Sequence, residues 1–157
     1  MNKTEERVQI VISNMIKNPK FGIKKFNPNM YLSVEDREDG IIRLDLVLYH
    51  TIIASIDITR KFSIDGIRTF CLSLDTGGHD TPTTSRYISA VLTMFNFIPL
   101  FTCIRQRNLC LKSHGPIPTL LKATPFRKAT IFAMQSSSSK GVFNLKSLNI
   151  DGVDYEV

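Results

Sequence analysis

Two runs of alternation, separated by a short connection, constrain the fold of this chain more than any other feature. Ile42, Leu44, Leu46 and Leu48 alternate with Arg43, Asp45 and Val47, and Ile52, Ala54, Ile56 and Ile58 alternate with Ser55 and Asp57. Period-two patterning rich in β-branched residues is the mark of a half-buried strand. The Tyr49-His50 connection between the runs makes residues 41–58 a β-hairpin. Asp65-Gly66 marks a turn. Residues 67–74 continue as a strand, with Phe70, Leu72 and Leu74 on one face and Thr69, Cys71 and Ser73 on the other.

Helical spacing occurs in two places. In residues 4–17, Val8, Val11, Ile12, Met15 and Ile16 fall on one face. Glu5 and Glu6 suit the positive end of the helix dipole, and Asn18-Pro19 ends the helix. The second helix is expected from about residue 84 to 97, capped by Thr83 or Thr84. Ile88, Val91, Leu92 and Phe95 form one face, widened by Ala90, Met94 and Phe97, so it reads as the buried central helix. Residues 19–29 read as a loop in which Phe21 and Phe26 lie among Lys20, Lys24 and Lys25, a pattern that can stack on bases or pack on the domain. Residues 100–104, 109–112, 129–134 and 142–146 read as short strands, with a last hairpin around Asp151-Gly152. The expected class is α+β: an antiparallel sheet with one or two helices packed on it, in a single domain spanning residues 1–157.

Charge is divided unevenly. The net charge is +6. Residues 1–80 hold 11 basic and 11 acidic residues, whereas residues 81–150 hold 9 basic residues and no acid. The basic residues are Arg86, Arg105, Arg107, Lys112, Lys122, Arg127, Lys128, Lys140 and Lys146. Gathered on one face, they would attract a polyanion, most often nucleic acid. An acidic host protein is the alternative partner. No apolar run reaches the roughly 18 residues of a membrane span. The N-terminus has no signal-peptide pattern, and the three cysteines do not form a disulfide framework. These features predict a cytoplasmic protein with no membrane partner.

The segment from Asp75 to Arg86 joins the third strand to the second helix. Gly77 and Gly78 permit positive φ, and the following helix start offers N–H groups to an anion. Thr81, Thr83 and Thr84 add hydroxyls, and Arg86 adds a guanidinium. The pattern is neither a Walker A loop nor a dinucleotide fingerprint. It reads either as an anion site or as a turn with a helix cap.

Catalysis finds little footing. His79-Asp80-Thr81 has no second matching tripeptide, no nucleophile elbow is present, and the basic stretch carries no carboxylates for a metal-dependent nuclease. Cys103, Cys110 and His114 lack zinc-ligand spacing, and the two cysteines look like facing residues of a hairpin. The expectation is a non-enzyme without cofactor or metal.

Leu72–Arg86 resembles a signature of small bacteriophage proteins of unassigned function. In that family a strand ends in Gly-Gly and a Thr-x-Thr-Thr-x-Arg element opens a helix, here Thr81, Thr83, Thr84 and Arg86. Tyr49–Ala54 is similar to the family's preceding strand, and the resemblance covers residues 49 to about 112. It implies a phage origin and the host cytoplasm, and carries no activity. The leading expectation is a binding protein that holds nucleic acid through Arg105, Arg107, Lys112, Arg127 and Lys128, with one phosphate in the loop from Gly77 to Arg86. A protein–protein inhibitor of a host defence or transcription factor, or a binder of a small phosphorylated ligand at that loop, are the alternatives.

Overall fold

The computed structural model describes residues 1–77, 81–95, 101–104, 108–111, 126–138 and 142–155. Helix α1 (Lys3–Lys17) is followed by strands β1 (Gly22–Asn27), β2 (Met30–Arg37), β3 (Ile41–Leu48), β4 (Thr51–Thr59) and β5 (Ile67–Asp75). Helix α2 (Pro82–Met94) and the small hairpin β6 (Phe101–Ile104) and β7 (Asn108–Leu111) come next. Strands β8 (Lys128–Ser136), β9 (Phe143–Ile150) and β10 (Val153–Tyr155) complete the chain order.

Eight strands form one open sheet in the order β1-β2-β3-β4-β5-β8-β9-β10, with every neighbouring pair antiparallel. The fold is therefore α+β, as the patterning predicts. Register gathers the buried apolar residues of the central strands on one face. Leu32 stands opposite Leu46, Ile56 opposite Leu72, and Leu72 opposite Ile131, and all are buried. A run of this kind across a sheet demands a cover, which α1 supplies with Val8, Ile12 and Met15 and α2 with Ile88, Val91 and Leu92. Phe70 lies at the centre, with its ring 4.5 Å from that of Phe95 and 4.8 Å from that of Phe143.

The helices run in the same direction. Glu5 pairs with Arg86 and, four residues further along both helices, the Gln9 side-chain amide donates to the Ala90 carbonyl. Both N-termini therefore lie at the end of the sheet that carries the β3–β4 turn. The opposite face of the sheet is polar at its centre: Arg43 donates two hydrogen bonds, 2.8 and 2.9 Å, to Asp57, and Arg37 adds a third at 3.2 Å. The Arg43 guanidinium holds the Asp57 carboxyl below the usual carboxylate range, against the opposing effect of burial.

Several boundaries differ from the sequence reading. Residues 19–29 are not all loop, because Gly22–Asn27 pairs with β2 as an edge strand. Its alternation is hidden by lysines, which commonly protect sheet edges. β2 is a further strand absent from the sequence reading: Met30, Leu32 and Val34 are buried and alternate with Tyr31 and Ser33. The α2 cap is Thr81, with Pro82 at the first helical position, so the helix begins before Thr83 and Thr84 and ends at Met94. A bulge in β4 pairs Val47 with Ile52 and Leu46 with Ala54. The extra residue turns Ile53 inward, 1% exposed, and leaves Ile52 47% exposed. In the small hairpin Cys110 pairs with Thr102 and Cys103 with Leu109, so the cysteines are not facing residues.

Candidate functional site

Threonine and tyrosine side chains converge where α2 begins. Thr81 has extended backbone, and its hydroxyl accepts the Thr84 N–H at 3.3 Å. The two hydroxyls lie 3.0 Å apart. This local bonding is why a Thr-Pro-Thr-Thr sequence starts a helix: proline presets φ, and the threonine oxygen replaces a missing intrahelical acceptor. Beside the cap, the β3–β4 turn is only two residues long, and both take positive φ, 48° at Tyr49 and 68° at His50. A two-residue hairpin turn of this type normally uses Asn and Gly. A bulky residue held there is strained.

Between cap and turn lies a cleft of about 410 Å³, lined by Leu48, Tyr49, Thr51, Ile53, Thr76, Thr81, Thr83 and Thr84. Its wall is part apolar and part hydroxyl, the mixture expected of a small-ligand cleft. Of the first amides of α2, Pro82 has no N–H, and those of Thr84 and Ser85 are bonded to Thr81. Thr83 is left as the amide donor of this turn among the described residues. The Gly77 N–H, at positive φ, is already donated to the Asp75 carboxylate at 2.7 Å. Hydroxyls therefore dominate the donors here, and α2 has no acid in its first turn to offset its positive end.

The cleft has cationic neighbours. The Thr76 N–H donates to the Arg127 carbonyl at 2.9 Å. The Asp151 carboxylate accepts the backbone N–H groups of Arg127 and Lys128, the latter at 2.8 Å. These bonds fix the entry to β8 beside the loop end, while the Arg127 and Lys128 residues stay exposed. Lys128 lies 4.0 Å from Asp75.

The structure thus brings together Gly77, Thr81, Thr83, Thr84, Arg127 and Lys128. Arg86 is directed elsewhere: its Nε lies 3.3 Å from Glu5 on α1, and it does not line the cleft. Gly78, His79, Asp80, Arg105, Arg107 and Lys112 lie outside the described residues. Sequence reasoning missed Tyr49, Thr51, Ile53 and Thr76. A two-residue turn with no glycine or asparagine was the available signal for Tyr49.

A second hollow, of about 240 Å³, opens on the polar face and is lined by residues including Ile41, Asp57, Cys71 and Phe132. Burial, then the Asp57 charge, pushes the Cys71 thiol up, so it stays protonated and poorly nucleophilic. Among the described residues no group of three metal-ligating side chains occurs, and no helix is long and apolar enough to cross a membrane. No protein-family model matches the chain, and no curated protein or solved structure matches it at a significant level.

Proposed function

We propose that this chain is a non-catalytic, phage-type accessory protein that binds nucleic acid in the host cytoplasm, seating one phosphate at the threonine cleft. The observation that carries this reading is the Thr76–Arg127 hydrogen bond, which sets the hydroxyl-lined cleft beside two exposed cations. In this reading α2 is the buried central helix that fixes the cleft. Its positive end, with no acid in the first turn, the Thr83 N–H and the threonine hydroxyls hold the phosphate, and Arg127 and Lys128 meet neighbouring phosphates. Arg86 serves the packing of α1 on α2 and takes no phosphate.

The test is binding of nuclease-treated protein to labelled DNA and RNA oligonucleotides at about 50 and 200 mM salt, where several phosphate contacts give a tens- to thousand-fold loss. Replacing Arg127 and Lys128 together by alanine keeps their bonded backbone and should lower the salt slope by roughly 1.4–1.8. An unchanged slope removes both from the contact. Thermal stabilisation by a mononucleotide without oligonucleotide binding would assign the cleft to a small phosphorylated ligand instead. No binding at the lower salt would overturn the reading and turn attention to an acidic protein partner.

A further inference from the structure

The connection between β4 and β5, residues 60–66, lies at the other end of the sheet from the threonine cleft. It is firmly braced. The Arg60 N–H donates to the Gly40 carbonyl at 2.9 Å, the Ser63 N–H to Ile67 at 2.8 Å, the Gly66 N–H to Ser63 at 2.8 Å and the Ser137 N–H to Gly66 at 2.8 Å. A loop held by its own backbone has no need to leave apolar side chains in water. Yet Phe62 is 41% exposed, and Ile64 is wholly exposed. Phe21, at the entry to β1, is 47% exposed.

Each of these rings is matched with a guanidinium. Arg60 lies 4.9 Å from the Phe21 ring centre, and Arg68 lies 5.9 Å from that of Phe62. Arg68 also donates to the Thr59 carbonyl and, at 3.4 Å, to the Ile16 carbonyl at the end of α1. The two ring–guanidinium pairs, one beside the start of β1 and one tied by Arg68 to the end of β4 and the C-terminal end of α1, make up the aromatic and cationic row of this end of the sheet. Lys17, Lys20 and Lys61 are exposed and adjoin its members in the chain.

We propose that this row binds single-stranded nucleic acid, with bases stacking on Phe21 and Phe62 and phosphates meeting Lys20, Arg60 and Lys61. Stacking on an aromatic ring is indifferent to base identity and needs a base free of its partner, so a duplex is excluded. The cations beside the rings supply the charge that tracks the backbone. An anionic membrane is the other occupant such a patch suggests. A flat anionic surface, however, would also meet Asp36, Glu38, Asp39 and Asp65, all exposed at this end. A narrow strand can follow the cations and avoid them. Asp36 lies 3.3 Å from Arg60 and holds the guanidinium in place. The inference shares with the proposed function the class of ligand, and it rests on different residues.

The experiment titrates the full chain with a short labelled oligothymidine, a duplex of equal length, an abasic strand of equal length, and vesicles of phosphatidylserine and phosphatidylcholine. The variants are Phe21→Leu with Phe62→Leu, which keeps apolar bulk and removes the ring faces, and Arg127→Ala with Lys128→Ala at the cleft. The expected order is oligothymidine first, with duplex and abasic strand well behind. The leucine variant should lose roughly five- to hundred-fold for each ring, keep the salt slope and keep the thermal midpoint. Equal affinity for the abasic strand, unchanged binding by the leucine variant, or binding to vesicles alone would each overturn the inference. Loss of binding in the cleft variant with none in the leucine variant would also overturn it while leaving the proposed function standing. The reverse pattern would support the aromatic row and remove the cleft.

Discussion

Arg86 offers a direct choice between structure and ligand binding. Its Nε lies 3.3 Å from a Glu5 oxygen, and the two side chains differ in exposure, 12% for Glu5 and 51% for Arg86. That asymmetry orders the single substitutions. Arg86→Ala strands a nearly buried carboxylate, whereas Glu5→Gln leaves a guanidinium that can turn to water. Exposed pairs contribute about 0.2–1 kcal/mol, and removing one partner of a buried pair costs about 3–5 kcal/mol. With one partner buried and the other half in solvent, Arg86→Ala should cost about 2 kcal/mol and Glu5→Gln about 1 kcal/mol. For a chain of this size the larger loss lowers the thermal midpoint by about 4–8 °C. The double variant should lie close to Glu5→Gln alone, because the stranded charge is gone.

Urea unfolding of the three variants reads these differences, and oligonucleotide titration at two salt concentrations reads the alternative. If Arg86 is committed to Glu5, Arg86→Ala leaves the salt slope unchanged. If Arg86 contacts a phosphate, the slope falls by about 0.7–0.9 and stability barely moves. The second result would refute the assignment of Arg86 to the helix interface.

Three other outcomes follow from the geometry. Phe70→Ala, between the rings of Phe95 and Phe143, should cost about 3–5 kcal/mol in denaturant unfolding; a loss below about 1 kcal/mol would contradict a tightly packed trio of rings. Because the folded-state value of Asp57 is lowered by Arg43, its contribution is complete above the ordinary carboxylate value near 3.9 and disappears as pH falls through the lowered value. Asp57→Asn should therefore flatten the acid limb of the stability–pH curve, and an unaltered limb would place the acid sensitivity elsewhere. Thr81→Ala should remove the α2 cap at a cost of about 1 kcal/mol, and Thr81→Ser should recover most of it in the same unfolding assay.

What could be read in the sequence was whatever a local period encodes. The β3–β4 hairpin, β5, the core face of α1 and the glycine-bearing turn at Asp65-Gly66 all follow from spacing, because their buried partners repeat every two or every three to four residues. The bulge at Ile53 was hidden, since an extra residue in one strand is decided by its partner across the ladder. Charge was misleading for the same reason. Arg86 belongs to a stretch without acids, yet Glu5, 81 residues earlier, neutralises it. Conversely, residues 1–80 balance their charges along the chain, yet folding gathers Arg60 and Arg68 over Phe21 and Phe62 and adds Lys17, Lys20 and Lys61 nearby. A polyanion responds to the charges that share a surface. The same end also exposes Asp36, Glu38, Asp39 and Asp65, so the pull of this end on a strand rests on its rings as much as on its charge, and the leucine and alanine variants decide between it and the stretch that looked basic.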